Sequence, residues 1–169
     1  MWIFGYGSLI FRPGFAFRER RSAHIPGWVR RFWQGSPDHR GTPEAPGRVA
    51  TLVAEPAAWC GGCAYRIDPA EAKPILRALD EREVAGFERR QVPLHDRAGG
   101  DPFAQGTTWI AEHGNPHFAG TLDEPAIAAY VRRSHGPSGA NSDYVIALAD
   151  ALRELGIEDA HVEAIRRAL

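Results

Sequence analysis

Apolar residues follow one rhythm through most of this chain and another in its last third. Trp2 to Phe4 is a short apolar run ending on Gly5, and it predicts a first strand. Phe11 to Arg21 reads as a turn-containing segment that ends in charge. Ser22 to Phe32 carries Ile25, Trp28, Val29 and Phe32, interrupted by Pro26-Gly27, and predicts one or two strands. Trp33 to Gly47 is polar and dense in glycine and proline, the composition of a long loop, and such loops in compact domains often carry function. Arg48 to Ala54 and Ala64 to Ile67 predict two more strands, with a hairpin turn at Cys60–Cys63 between them.

Asp68-Pro69 is a helix start, a capping residue followed by proline in the first turn. Ile75, Leu76 and Leu79 form that helix's apolar stripe, Pro74 sits awkwardly inside it, and Leu79 to Gly86 is its exit. Phe87 to Leu94 and Thr107 to Ala111 read as strands, and His113 to Gly120 as a loop. From Pro125 the spacing turns helical. Ile127, Tyr130 and Val131 mark one helix, which breaks over Ser134 to Ala140. A second begins at a cap on Asn141 or Ser142, buries Val145, Leu148, Leu152 and Leu155, and stops at Gly156. Asp159 caps a short final helix with Val162, Ile165 and Leu169. Strands first and helices later predict an α+β fold, with residues 1–169 forming one domain.

Charge narrows the function. Twenty basic and 21 acidic residues leave a net charge of −1, which offers no basis for nucleic acid or a membrane surface as partner. No apolar run reaches membrane-spanning length, and the start of the chain lacks a basic segment followed by an apolar leader. The expectation is a cytoplasmic protein acting on a small molecule.

The most informative chemistry lies in Phe4-Gly5-Tyr6-Gly7-Ser8-Leu9. Two glycines at the end of a strand let a ligand approach the main chain, and successive N–H groups in such a turn form an anion site. The loop suits a carboxylate-bearing small molecule, although a plain tight turn has the same composition. It is no dinucleotide fingerprint, because Ile10 replaces the third glycine and Phe11-Arg12-Pro13-Gly14 is a turn; no Gly-Lys-Ser/Thr follows to make a phosphate loop. Glu81, Glu83 and Glu88 are acid/base candidates that the residue pattern alone does not separate from a solvated charged face. Arg40 suits a substrate carboxylate, or pairs locally with Asp38. Cys60-Gly61-Gly62-Cys63 has the spacing of a dithiol redox site, but the alternating Ala64-Tyr65-Arg66-Ile67 that follows reads as a strand and not as the helix such sites need. His113 and His117 are four apart, with Gly114 and Pro116 between them, which argues against one helical face.

Four stretches, in order along the chain, resemble the motifs of the ChaC-type γ-glutamylcyclotransferases. They are Phe4 to Leu9; Trp33-Gln34-Gly35-Ser36 with Asp38 to Pro43; Leu79-Asp80-Glu81-Arg82-Glu83-Val84-Ala85-Gly86-Phe87; and Gly136-Pro137-Ser138-Gly139 with Asn141 and Tyr144. The resemblance implies a small mixed α/β domain with a barrel-like sheet and no cofactor or metal. It implies cleavage of the γ-glutamyl amide of glutathione to 5-oxoproline and cysteinylglycine, with Glu83 as general acid/base. Tyr6, Gly7, Ser8 and Leu9 would supply backbone donors to the γ-glutamyl part, either for its α-carboxylate or for the oxyanion. Asp38, Arg40 and Tyr144 would complete the substrate site, with Arg40 on the glycine-end carboxylate. Phe87 stands where many relatives have tyrosine, so no hydroxyl acts there. A covalent role for Ser8 is the weaker idea, since it lacks a Gly-x-Ser-x-Gly context and ring closure requires no nucleophile from the protein. The competing expectations are a cyclotransferase for other γ-glutamyl amides, a non-catalytic γ-glutamyl-binding protein, and a Cys60/Cys63 thiol-disulfide oxidoreductase.

Overall fold

The first apolar run forms β1 (Trp2–Gly5), and the long stretch after it forms one extended hairpin, β2 (Glu19–Ser36) and β3 (Gly47–Arg66). The computed structural model, which describes residues 1–169, adds β4 (Phe87–His95) and β5 (Pro102–Ala111) and closes a barrel in the order β1-β3-β2-β4-β5. Closure comes from β5 running parallel to β1, with Trp2 opposite Gly106 and Ile3 opposite Thr107; every other pairing in the barrel is antiparallel.

β2 is a single strand because Pro26-Gly27 makes a bulge instead of an end. The register with β3 shifts between Pro26 and Trp28, where proline has no N–H to give and Gly27 takes a φ of 81°. A second shift, between Arg31 and Gln34, carries the strand on to Ser36, into residues whose composition predicted loop.

β3 corrects the sequence reading more deeply. Cys60 to Cys63 is not a hairpin turn but the middle of a 20-residue strand, with Cys60 opposite Ile25 and Cys63 opposite both Ser22 and Gly5. The two glycines serve close packing. A Cβ on Gly62 would lie 2.3 Å from the Gly5 carbonyl oxygen and 2.7 Å from the Phe4 ring, and one on Gly61 would lie 2.6 Å from Ile157.

The helices begin where the capping signals predicted, with one exception. Asp68 accepts a hydrogen bond from Ala70 N (3.1 Å) and opens a 3-10 turn leading to α1 (Ala72–Arg82). Pro74 falls in the first turn of α1, where its missing N–H has no intrahelical partner to lose. Asp159 caps α4 (Ala160–Arg167) as expected, and α2 (Glu124–Arg132), which the sequence opened at Pro125, is capped by Asp123, a residue the sequence reading did not single out. Between them lie the two-residue strands β6 (His135–Gly136) and β7 (Gly139–Ala140), then α3 (Asn141–Glu154). The exception is Asn141, which caps nothing. It is fully buried, accepting from Arg48 N (2.7 Å) and donating to Arg48 O (2.8 Å), so it pins α3 to the start of β3.

One apolar cluster joins the barrel lining (Phe4, Ile25, Leu52, Tyr65, Leu94, Ile110) to the stripes of α2, α3 and α4. A smaller one, of Ile3, Leu9, Ile67, Leu79 and Trp109, seats α1. No helix is long and apolar enough to cross a membrane.

Arg30 is the largest fully buried side chain. Its guanidinium donates to Tyr6 O (2.6 Å) and Gly61 O and pairs with Asp159, tying the end of β1, the middle of β3 and the start of α4 together. Removing one member of a buried ion pair strands the other. Arg30→Met is therefore expected to lower unfolding free energy by about 3–5 kcal/mol, with Arg30→Lys losing less, as read from urea denaturation.

Candidate active site

β1 hands over to the Gly7 turn at the same end of the barrel where β2 finishes at Ser36 and α1 at Arg82. These ends enclose a cavity of about 410 Å³. Tyr6, Gly7, Ser8, Leu9, Asp38, Arg40, Glu83 and Tyr144, drawn from distant parts of the sequence, all line it.

The turn after β1 is held from both sides. Tyr6 donates its hydroxyl to Trp109 O (2.7 Å), while its carbonyl accepts from Arg30. Ser8 to Ile10 form one 3-10 turn, closed by Ile10 N donating to Gly7 O (3.0 Å). The first N–H groups of such a turn have no partner within it, which leaves Ser8 and Leu9 as backbone donors at the cavity wall. Leu9 contributes main chain, for its side chain is packed in the small cluster beneath α1. A Cβ on Gly7 would come 3.0 Å from the Tyr144 hydroxyl, so glycine keeps this corner open. The Ser8 hydroxyl accepts from Arg82 (2.9 Å).

Arg82 organises the opposite wall. Its guanidinium also donates to Arg12 O (2.8 Å) and Pro13 O (3.1 Å), clamping the segment after the turn to the end of α1. Glu83 comes next, just past the helix, where its N–H donates to Leu79 O (2.7 Å). Its side chain is only 17% exposed, and Oε1 is buried with no hydrogen-bond donor. Arg82 Nε lies 3.3 Å from that oxygen, close enough for charge attraction but without hydrogen-bond alignment. Burial raises the Glu83 pKa above the usual glutamate value; Arg82 and His39 pull it back and Asp38 pushes it further up. The negative end of the α1 dipole acts in the same direction as burial.

Two phenols face this carboxylate. Burial, reinforced by the charge on Glu83, pushes Tyr6 well above its ordinary value and Tyr144 up to about 12, so both stay neutral. Tyr144 packs edge-on between Phe11 and Phe32 and accepts from Ala50 N (3.3 Å).

Arg40 does not pair with Asp38. It is buried beside the Tyr144 ring and donates to Ala140 O (3.0 Å), while Asp38 accepts from Ser36 Oγ (3.3 Å). The loop carrying them is drawn against β6 by backbone-to-backbone packing. A Cβ on Gly41 would fall 2.0 Å from Gly47 N, and one on Gly136 would fall 2.4 Å from His39 O. Ser138 N donates to His39 O (2.9 Å) across the same contact.

The ChaC-like protein family model matches residues 1–169. This chain belongs to the ChaC-like family. It is 36% identical to the human glutathione-specific gamma-glutamylcyclotransferase 1 over 98% of its own length and 76% of that protein. It is 40% identical to gamma-glutamylcyclotransferase 2-3 of Arabidopsis thaliana, over 96% of this chain and 84% of that one. Its fold superposes on the crystal structure of a yeast γ-glutamyl cyclotransferase specific to glutathione with a TM-score of 0.92, at 29% identity, covering 99% of this chain and 94% of the other.

Within this ChaC-like site some residues had no role in the sequence reading. Arg82 stood inside a recognised stretch, but only its contacts show what it clamps. Thr108 carried no signal at all. It is buried on β5, lines the cavity, and its hydroxyl has no hydrogen-bond partner within the protein. Phe87 lines the cavity with a bare ring.

The cysteines lie outside the cavity. Both are free and buried, and burial raises both thiols above their ordinary values, the reverse of a reactive dithiol. Native protein is expected to leave Cys60 and Cys63 unmodified by a thiol reagent under conditions in which the denatured chain reacts at both.

Proposed function

We propose that this chain is a glutathione-specific γ-glutamylcyclotransferase that uses Glu83 as its general acid/base. The observation that carries this reading is the mostly buried Glu83 carboxyl, whose Oε1 meets no donor, on the wall of a cavity that the Gly7–Leu9 turn also lines. The names borne by its relatives support the substrate.

The chemistry asks little beyond positioning. The substrate's α-amine attacks its own γ-carbonyl, a C–N bond closes a five-membered ring, and the bond to the cysteine nitrogen breaks. Both reacting groups are in one molecule, and good alignment of such a pair is worth about 7–11 kcal/mol in favourable cases. Two protons must still leave the attacking nitrogen, and the departing nitrogen must gain one as its bond breaks. The amine has a reference pKa of about 8 and is largely protonated near neutrality. Glu83 as carboxylate takes the first proton from the ammonium and gives it to the departing nitrogen; the regenerated carboxylate then takes the second proton from the ring nitrogen and releases it to the freed cysteinylglycine amine or to water. A pKa raised by burial brings its proton affinity nearer to that of its partners, which favours transfer in both directions. The N–H groups of Ser8 and Leu9 bind the α-carboxylate or the developing oxyanion. Arg40, which pairs with no carboxylate of the protein, takes the carboxylate at the glycine end, with Asp38 and Tyr144 shaping the wall between.

Tyr6 and Tyr144 come from near the two ends of the chain yet share one cavity, which supports residues 1–169 acting as one domain. Free, unpaired thiols at Cys60 and Cys63 support a cytoplasmic location.

Wild-type protein is expected to release 5-oxoproline and cysteinylglycine from glutathione, and Glu83→Gln to lose at least ~10²-fold in kcat/KM. Survival of activity in the variant would remove Glu83 from the reaction; absence of product from both proteins would redirect the reading to other γ-glutamyl amides. The acid limb of kcat/KM should lie above the usual glutamate range, because activity falls as pH drops through a raised pKa. Stability should run the other way. A folded-state pKa above the unfolded one favours folding below the unfolded value, and that benefit is lost as pH rises through the folded value. Glu83→Gln is therefore expected to melt no lower than wild type at neutral pH, with any advantage vanishing in acid.

A further inference from the structure

Glu83 reaches the cavity on a turn that does not hold its own shape. Past the helix end its carboxylate makes no hydrogen bond to the protein, and two residues later the backbone enters an unfavourable region. Ala85 has a φ of 60° and is the only non-glycine residue in the chain with a positive value; Gly86 follows at 92°. An alanine keeps that conformation only when its surroundings over-determine it. The surroundings here are two side-chain amides.

Gln34, fully buried at the end of β2, donates from Nε2 to Ala85 O (2.7 Å) and to Asn115 Oδ1 (2.9 Å). Asn115 answers from Nδ2 to Gln34 Oε1 (3.0 Å) and donates its second proton to Glu112 O (2.7 Å). Asn115 Oδ1 also accepts from His117 N (2.9 Å). Every amide proton of the pair is used, the condition under which a buried polar network becomes rigid. The main chain repeats the attachment, with Gly35 N donating to His117 O (2.8 Å) and Ala119 N to Trp33 O (2.8 Å). The amide also rests directly on the turn, since a Cβ on Gly86 would lie 2.4 Å from Asn115 Oδ1.

We infer that the Gln34–Asn115 amide pair is the positioning device of the active site: it grips the Ala85 carbonyl and thereby aims Glu83 into the cavity. The pair is anchored on β2, whose next residues, Gly35 and Ser36, line the same cavity. It therefore sets the carboxylate relative to the substrate-facing wall and not merely relative to α1. Neither amide touches the cavity, so both are positioning residues. The inference rests on the cyclotransferase reading for its kinetic test but not for its structural one.

Two variants separate positioning from simple packing: Gln34→Leu, close in volume, and Asn115→Ala, on a half-buried loop where truncation leaves the barrel core intact. Each is assayed for 5-oxoproline release from glutathione, and for the titration of Glu83 by carbon-13 NMR of carboxyl-labelled glutamate, assigned with Glu83→Gln. The charged and titratable groups facing Glu83 are Arg82 at the end of α1, Asp38 and His39 after β2, Tyr6 after β1 and Tyr144 on α3, and neither variant alters any of them. Loss of aim is expected to lower kcat about 10–100-fold while KM moves less than about threefold. The double variant should be no worse than the worse single one, because both act through one contact. The Glu83 titration should move down toward the ordinary glutamate value as the carboxyl gains water. Folded variants with unchanged kcat and unchanged titration would overturn the inference, even if they melt earlier. Should Gln34→Leu fail to fold, Asn115→Ala decides by the same readouts. If wild type releases no 5-oxoproline from glutathione, the glutathione-specific reading fails, and the NMR titration alone decides the positioning role.

Discussion

A guanidinium sealed from water holds this molecule in register. Arg30 projects from β2 into the interior and gives its protons to Tyr6 O, Gly61 O and Asp159. Such a charge is tolerated only if its donors are met, so the positions of those acceptors are mutually constrained. The consequences spread outward. Gly61 must sit in a continuous strand and not a turn. Asp159 must begin α4 at a fixed place, which it does by capping Val162 with its other oxygen. Tyr6 must follow β1 with its carbonyl turned inward, which directs the Gly7 turn toward the cavity.

The end of the barrel that holds the cavity meets a second constraint, in tension with the first. A carboxylate that shuttles a proton in the proposed reaction needs a raised pKa, and burial is what raises it. Burial also penalises the ionised form that accepts the proton. Arg82 balances these demands by standing 3.3 Å from Glu83 Oε1 without bonding to it. Its aligned donors go instead to Ser8 Oγ, Arg12 O and Pro13 O. The charge thus keeps the carboxylate ionisable, while the geometry leaves Oε1 without a hydrogen bond. Full alignment would satisfy the oxygen and pull the pKa back down, and loss of Arg82 would leave it too high.

Much of this was legible before any coordinates. Capping residues at Asp68 and Asp159 announced helix starts because their effect is local, one side chain satisfying one nearby N–H. The cavity lining was legible as recurring motifs in family order. What could not be read was chemistry that depends on distant partners. Gly61-Gly62 looks like a turn until Ile157 and Gly5 are seen to press on it. Asn141 has the side chain of a cap, yet spends both its polar atoms on Arg48 across the fold. Pro26 ends strands in isolation, and here a bulge absorbs it because the strand continues to find partners on β3. In each case a local propensity was overruled by a contact that exists only after the barrel closes.

Thr108 and Gln34 show the same limit from the side of function. Both lie on strands and both are buried, so both match the pattern of core residues. Their polar atoms differ in what they meet. Gln34 has every proton matched, which suits a fixed strut, whereas Thr108 lines the cavity and its buried hydroxyl has no partner in the protein. Glu83 lines the same cavity, and its buried Oε1 likewise meets no donor. Buried polar atoms are nearly always satisfied in native proteins, and these two belong to residues that line one cavity. An intramolecular ring closure requires just such a site: rigid walls whose hydrogen bonds are complete, and a few open polar atoms where the substrate supplies the missing half.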